Sequence, residues 1–257
     1  MHGKQPLAQP ANVVFLYDGS FEGFLCCVYH TVYSRQIPLA IYTPENTQPT
    51  LFEERSITTD SAQAQKVRAS IPAKISPAAL EMVETVFLSC LAEKELALLK
   101  FLLLGYQQGS KILHMLGHPD VAPVLKAEQH LQGERHLLLG FVRFSDYGGV
   151  LAATITPKNF ILPFLASHFT ARFSQEDFLI YDKTHKAALI YQNGQTRLAP
   201  LEEIEFPDVS ETETEYRKLW KQFYHTIAIE ARYNPKCRIT HIPKRYWQNM
   251  TELAELL

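Results

Sequence analysis

The stretch Phe178-Leu-Ile-Tyr-Asp182-Lys-Thr-His-Lys-Ala187-Ala-Leu-Ile-Tyr191 decides how the chain is read. Two apolar, β-prone runs, Phe178–Asp182 and Ala187–Tyr191, flank four polar residues. That pattern is a hairpin signal. Asn193-Gly194 marks the next turn and leads to a short strand at Thr196–Ala199. Upstream, the runs His136–Phe144 and Gly149–Ile155 flank Ser-Asp-Tyr-Gly and predict a further hairpin.

Helices surround these hairpins. At the start, Asn12–Tyr17 reads as a buried strand, Asp18-Gly19 as a turn and Ser20–Tyr33 as a helix. A short strand is predicted at Phe52–Thr58, then a helix over Ser61–Ser70 that stops before Pro72. Ser76-Pro77 opens helical sequence to Gln108, with a break near Cys90–Glu93. Further helices are predicted from Pro119 to Gly133, from Thr156-Pro157 to Phe173, over Glu211–Ala231 and from Pro243 to Leu257. The expected fold class is α+β, a mixed or antiparallel sheet with hairpins, covered by helices. Strand and helix do not alternate regularly enough for a doubly wound parallel sheet. The expected organisation is an α+β core over 1–200, an acidic connector over 201–215, and a basic aromatic helical segment over 216–257 packed on that core.

Composition bounds the function. The 257 residues carry 25 Lys+Arg against 27 Asp+Glu, a net charge of −2. That balance excludes nucleic-acid binding by bulk charge. With 46% hydrophobic residues, a disordered chain is excluded as well. The densest apolar stretch, Leu96–Tyr106, is interrupted by Lys100 and is too short to span a membrane. The apolar run Val13–Tyr17 is too short for a signal-peptide core, so a cytoplasmic location is expected. The four cysteines, Cys26, Cys27, Cys90 and Cys237, form no C-x-x-C pair. His114, His118, His130 and His136 lack the spacing of a metal-binding helix. Neither a metal site nor a cofactor is expected.

Net charge hides an asymmetry. Residues 201–215 hold seven acids and no base, whereas residues 216–248 hold eight bases and one acid. The basic part is interleaved with Tyr216, Trp220, Phe223, Tyr224, Tyr233, Tyr246 and Trp247. Cations neutralise phosphates and aromatic faces stack on unpaired bases, so the combination suits single-stranded or distorted nucleic acid. The competing expectation is packing: an amphipathic helix burying Trp220, Phe223 and Ile227 and exposing Lys and Arg. Between Arg232 and Trp247, Asn234-Pro235 and Ile242-Pro243 mark turn or extended backbone, which leaves cations free for an anion. The candidate nucleic-acid-binding residues are Arg232, Asn234, Lys236, Arg238, His241, Lys244, Arg245, Tyr246 and Trp247.

This C-terminal segment carries a resemblance. Arg232, Asn234, Pro243-Lys-Arg-Tyr-Trp247, Thr251 and Glu252 resemble the signature of an uncharacterised bacterial family grouped with DNA metabolism and DNA repair and holding a domain of unknown function. Gly140-Phe-Val-Arg-Phe144, Pro157, His168-Phe-Thr-Ala-Arg172, Tyr181-Asp182 and Tyr17–Phe24 resemble it too. The resemblance implies a gene neighbour encoding a radical S-adenosylmethionine protein, and relatives fused to uracil-DNA-glycosylase-type domains. It implies no catalytic residues.

Candidate chemistry therefore rests on the residues themselves. Asp18 follows a strand and is flanked by glycine, a common seat for a base or ligand, or else it belongs to the helix cap with Ser20. Glu22 stands four residues on and can share a helix face with it. His168 and Arg172 share a helix face, and Arg143 and Asp182 lie on neighbouring predicted strands. These could form a phosphate-binding and proton-transferring cluster, or structural ion pairs. The expected function is a DNA-binding adaptor or substrate-recognition partner of a radical S-adenosylmethionine protein. The alternatives are an enzyme acting on DNA or a nucleotide at Asp18 or at His168, Arg172 and Asp182, and a protein-interaction module without nucleic-acid contact.

Overall fold

The computed structural model describes residues 7–257, with only the backbone at Glu230. It divides into two compact units, the first ending at Leu131 and the second running from Gln132 to Leu257. Helix makes up 50% and strand 16%, so the α+β expectation holds.

The first unit is built on a small parallel sheet. Strands β1 (Gln9–Pro10) and β3 (Gln36–Ile37) form a parallel pair. Beside it β2 (Val13–Leu16) sits between β4 (Ala40–Tyr42) and β5 (Glu53–Ser56), parallel to both. Helix α1 (Phe21–Ser34) starts where predicted, capped by the Ser20 hydroxyl, which accepts from the Gly23 N–H. Next, α2 (Ser61–Lys74) is capped by Asp60 and runs through Pro72 instead of stopping before it. The ring falls in the last turn, and the carbonyl it deprives belongs to exposed Arg68, which water can serve. Helix α3 (Pro77–Phe87) uses Ser76 and Pro77 as predicted, and α4 (Lys94–Gln108) follows the expected break. Phe15, Phe24, Leu25, Ile71, Leu98 and Leu102 form its buried centre.

Helix α5 (Ala122–Phe141) runs past the predicted end at Gly133. The run expected as a strand from His136 is thus the helix's last turns: Leu137-Leu-Leu139 contains no β-branched residue and favours helix. The strand that pairs with β7 (Val150–Ile155) is instead β6 (Ser145–Asp146), which lies in the stretch expected as the hairpin loop. From β7, α6 (Leu162–Arg172) crosses to β8 (Asp177–Asp182), which pairs parallel with β7. The quoted hairpin is β8 with β9 (Ala187–Gln192), and β10 (Gln195–Pro200) follows the Asn193-Gly194 turn, both antiparallel. Phe144 meets the rings of Phe169, Phe173 and Phe178 at 5.4, 5.0 and 5.9 Å, sealing α6 onto the sheet. Helix α7 (Glu211–Thr226) ends short of the predicted Ala231, and α8 (Pro235–His241) follows. The last helix expected from Pro243 is two 3-10 turns, Lys244–Asn249 and Ala254–Leu256.

Gly23 is a test of packing beside β2. A Cβ there would stand 2.3 Å from Asp18 Oδ1 and 2.8 Å from Thr59 Oγ1. Gly23→Ala should cost about 1–3 kcal/mol in urea denaturation. Gly133→Ala, on α5 with nothing within 4 Å of the added carbon, should be neutral or stabilising by up to about 1 kcal/mol.

Candidate nucleic-acid interface

Within the second unit a buried carboxylate holds the C-terminal segment. Glu134, on α5, is 3% exposed. Its Oε1 accepts from the Tyr246 hydroxyl at 2.6 Å, Arg245 Nη2 at 2.9 Å and the Lys158 N–H at 2.9 Å. Its Oε2 accepts from the Asn159 N–H at 2.8 Å and Asn159 Nδ2 at 2.6 Å. This explains why Thr156-Pro157 opens no helix: the next N–H groups are spent on Glu134, the Thr156 hydroxyl donates to the Arg245 carbonyl, and α6 starts at Leu162. Burial pushes the Glu134 carboxyl up, but donors from Tyr246, Lys158 and Asn159 outweigh it and hold the group below its ordinary value. The Tyr246 hydroxyl is raised by burial and by the adjacent carboxylate.

A second carboxylate holds α7. Glu252 accepts from Arg143 Nη2 at 2.7 Å and from Trp220 Nε1 at 2.9 Å, while the Arg143 guanidinium lies 5.3 Å over the Trp220 ring. Burial raises this carboxyl and the Arg143 and Trp220 donors lower it, with a net depression. Buried Glu213, also on α7, accepts from Arg217 Nε at 2.9 Å and reaches the Asp146 N–H, and Arg217 donates to the Ser145 hydroxyl.

The inward face of α7 is therefore polar, which reverses the packing expectation. Trp220 is 40% and Phe223 53% exposed, and Tyr216, Leu219 and Ile227 are exposed as well. Beside them runs a groove of about 560 Å³ lined by Arg143, Phe144, Arg217, Trp220 and Thr251, among others.

The basic segment beyond α7 splits into buried and exposed residues. Tyr246 and Trp247 are buried, and Trp247 Nε1 donates to the Ile242 carbonyl at 2.8 Å. Asn234 caps α8, accepting from the Cys237 N–H. The Arg238 guanidinium stands 5.6 Å over the Tyr233 ring and 5.2 Å over Trp247, with Lys244 Nζ 5.8 Å from the same indole. His241 Nδ1 lies 2.9 Å from the Cys237 carbonyl. Tyr233 is 69% exposed, and Arg232, Lys236 and Lys244 are exposed beside it in sequence. Among the described residues none of Arg232, Lys236, Arg238 and Lys244 has a carboxylate partner, whereas Arg245 has Glu134.

The other candidates are placed as follows. Asp182 is fully buried at the end of β8; its carboxylate accepts from the Thr184 and His185 N–H groups and lies 2.7 Å from His185 Nδ1. Sequence reading missed His185, although the run Asp-Lys-Thr-His carried the signal. A carboxylate-oriented imidazole can move a proton. Arg172 is exposed over the Phe173 ring, His168 meets Phe169 edge-on, and no hydrogen bond joins either to Asp182 among the described residues. In the first unit, Asp18 accepts from the Ser20 N–H and hydroxyl and from the Thr59 hydroxyl. Slight burial raises that carboxyl, and the Ser20 and Thr59 donors lower it further, to a net depression. No group of three or more metal-ligating side chains occurs among the described residues.

The depressed carboxyls of Glu134 and Glu252 make acid a probe. A carboxyl held below its ordinary 4.5 contributes stability above that pH and loses it as pH falls through the folded value. Stability should therefore decline below about pH 4.5. Glu134→Gln should cost about 3 kcal/mol at neutral pH and remove the Glu134 share of that decline, measured by denaturation across pH.

No curated protein matches the chain. A family model described as a domain of unknown function, DUF4130, matches residues 92–252. The matched span contains both carboxylate clamps, α7 and the basic segment, and it exceeds half of the chain. The chain belongs to the DUF4130 family.

Proposed function

We propose that this protein binds single-stranded or distorted DNA through its C-terminal basic segment. In DNA metabolism or repair it serves as the adaptor or substrate-recognition partner of a cytoplasmic radical S-adenosylmethionine protein. One observation carries the DNA reading: Arg232, Lys236, Arg238 and Lys244 have no carboxylate partner among the described residues, and Arg238 stands beside the exposed ring of Tyr233. Unpaired cations are free to neutralise phosphates, and an exposed aromatic face is free to stack on an unpaired base. The groove beside α7, with Arg143, Arg217 and Trp220, offers a continuation of the same chemistry. Tyr246 and Trp247 act here as the internal anchor rather than as stacking faces. The adaptor role is supported by the resemblance described above and by the absence of any cysteine cluster that could hold an iron–sulfur centre. The alternative of an enzyme acting on DNA draws support from the Asp182–His185 pair alone.

The test is fluorescence anisotropy with a labelled single-stranded oligonucleotide over a salt series. Arg232→Ala/Lys236→Ala should weaken binding and reduce the log–log salt slope by roughly 0.7 per lost phosphate contact. Tyr233→Ala should weaken it by about 1–3 kcal/mol with the slope unchanged. Unaltered affinity and slope in the double variant exclude this surface. Co-purification with the radical S-adenosylmethionine protein tests the adaptor role, and its failure removes that part of the proposal.

A further inference from the structure

A second site is built into the first unit, mostly outside the matched span. Strand β2 is the centre of its parallel sheet, and the chain leaves its carboxyl end through α1 to join β4 on one side and later β5 on the other. That is a topological switch point, and ligands of parallel α/β sheets bind in the crevice outside the carboxyl ends of such strands. A crevice of about 550 Å³ lies there. It is lined by Tyr17-Asp18-Gly19 after β2, by Thr43–Asn46 after β4, and by the segment Ser89–Glu95 leading into α4.

Three polar groups in it have unused capacity. Glu95 is only 5% exposed, and its Oε1 accepts from the Tyr17 hydroxyl at 2.9 Å. Glu95 lines the crevice, and a carboxylate offers about four lone-pair sites, more than the Tyr17 hydroxyl takes. Asp18 is held rigid by Ser20, Thr59 and the close approach of Gly23, and it stays ionised, with lone pairs to spare. Asn46 spends its Oδ1 on the Thr43 N–H and hydroxyl, which leaves the amide NH₂ as a donor. Two acceptors with a fixed donor match groups that both give and take hydrogen bonds, namely adjacent hydroxyls. Pro44, Leu91 and Ala92 add an apolar wall. Asp18, Glu45, Glu93 and Glu95 outnumber the one cation of the lining, Lys94, and disfavour phosphate there. Its carboxylates do not form a metal cluster among the described residues.

We propose that this crevice binds the sugar hydroxyls of a phosphate-free nucleoside, with the base against the Pro44–Leu91 wall. The site is independent of the DNA surface. The test is calorimetry on the full chain, with saturation-transfer NMR, using adenosine, cytidine, guanosine, uridine, free ribose and the 5′-monophosphates as probes. At least one nucleoside should bind saturably and more tightly than its monophosphate and than ribose. Asp18→Asn and Asn46→Ala should each weaken it about 10-fold or more, with unchanged circular dichroism and unchanged oligonucleotide affinity, so the two sites can fail separately. Absence of saturable nucleoside binding overturns the proposal, as do unaltered affinity in both variants, tighter binding of a monophosphate, or ribose binding as tightly as every nucleoside.

Discussion

The Glu134 carboxylate is the constraint on which the second unit depends. It gathers five different donors from two places in the chain: Lys158 and Asn159 after β7, and Arg245 and Tyr246 more than a hundred residues away. An ion so buried is tolerated only when its lone pairs are filled, and here they are. One side chain thereby fixes the loop that leads into α6 and seats the 3-10 turn at Lys244–Asn249 against β7. Glu252 repeats the device for α7 through Arg143 and Trp220. Polar clamps set directions that a purely apolar contact leaves loose, because the donors must meet particular oxygens.

That arrangement separates two roles that the basic aromatic segment had seemed to share. Buried Tyr246 and Trp247 are structural, and their polar atoms are committed internally. Tyr233, Trp220 and Phe223 stay exposed, with Arg238 beside the Tyr233 ring and Arg143 beside that of Trp220. A Trp whose Nε1 is tied to Glu252 while its ring stays 40% exposed is held rather than loose. Holding an aromatic face in place before a ligand arrives lowers the ordering cost of binding.

Local signals carried most of the fold into the sequence. The β8–β9 hairpin and Asn193-Gly194 were legible because strand alternation and turn chemistry act within a few residues. The caps at Ser20 and Ser76 were legible for the same reason. What misled was also local. Leu137–Leu139 reads as strand or helix equally well by apolarity, and α5 decides it by continuing from Ala122. Thr156-Pro157 has the form of a cap, yet Glu134, distant in sequence, takes the N–H groups that a helix start would leave free. Pro72 lies so near the end of α2 that one exposed carbonyl bears the loss. Of the candidate site residues, the exposed cations were visible from composition, whereas Glu134, Glu95 and His185 were not. A lone acid or histidine in an amphipathic stretch carries no sign of the partner that folding brings to it.

The charge count gains meaning once partners are assigned. Seven acids precede eight bases, and the two sets could have neutralised each other across the connector. One pair does so, Glu213 with Arg217 one turn along α7, while Glu202 pairs with Lys186 and Lys221 with Glu255. Arg245 goes to Glu134 and Arg143 to Glu252. Each of these pairs removes a base from the pool without touching residues 232–244. Of the eight bases, Lys218, Arg232, Lys236, Arg238 and Lys244 are left without a carboxylate partner among the described residues, and Arg238 stands beside exposed Tyr233. A formal charge of −2 is compatible with a local phosphate-binding surface because none of these acids is paired with Arg232, Lys236, Arg238 or Lys244 among the described residues.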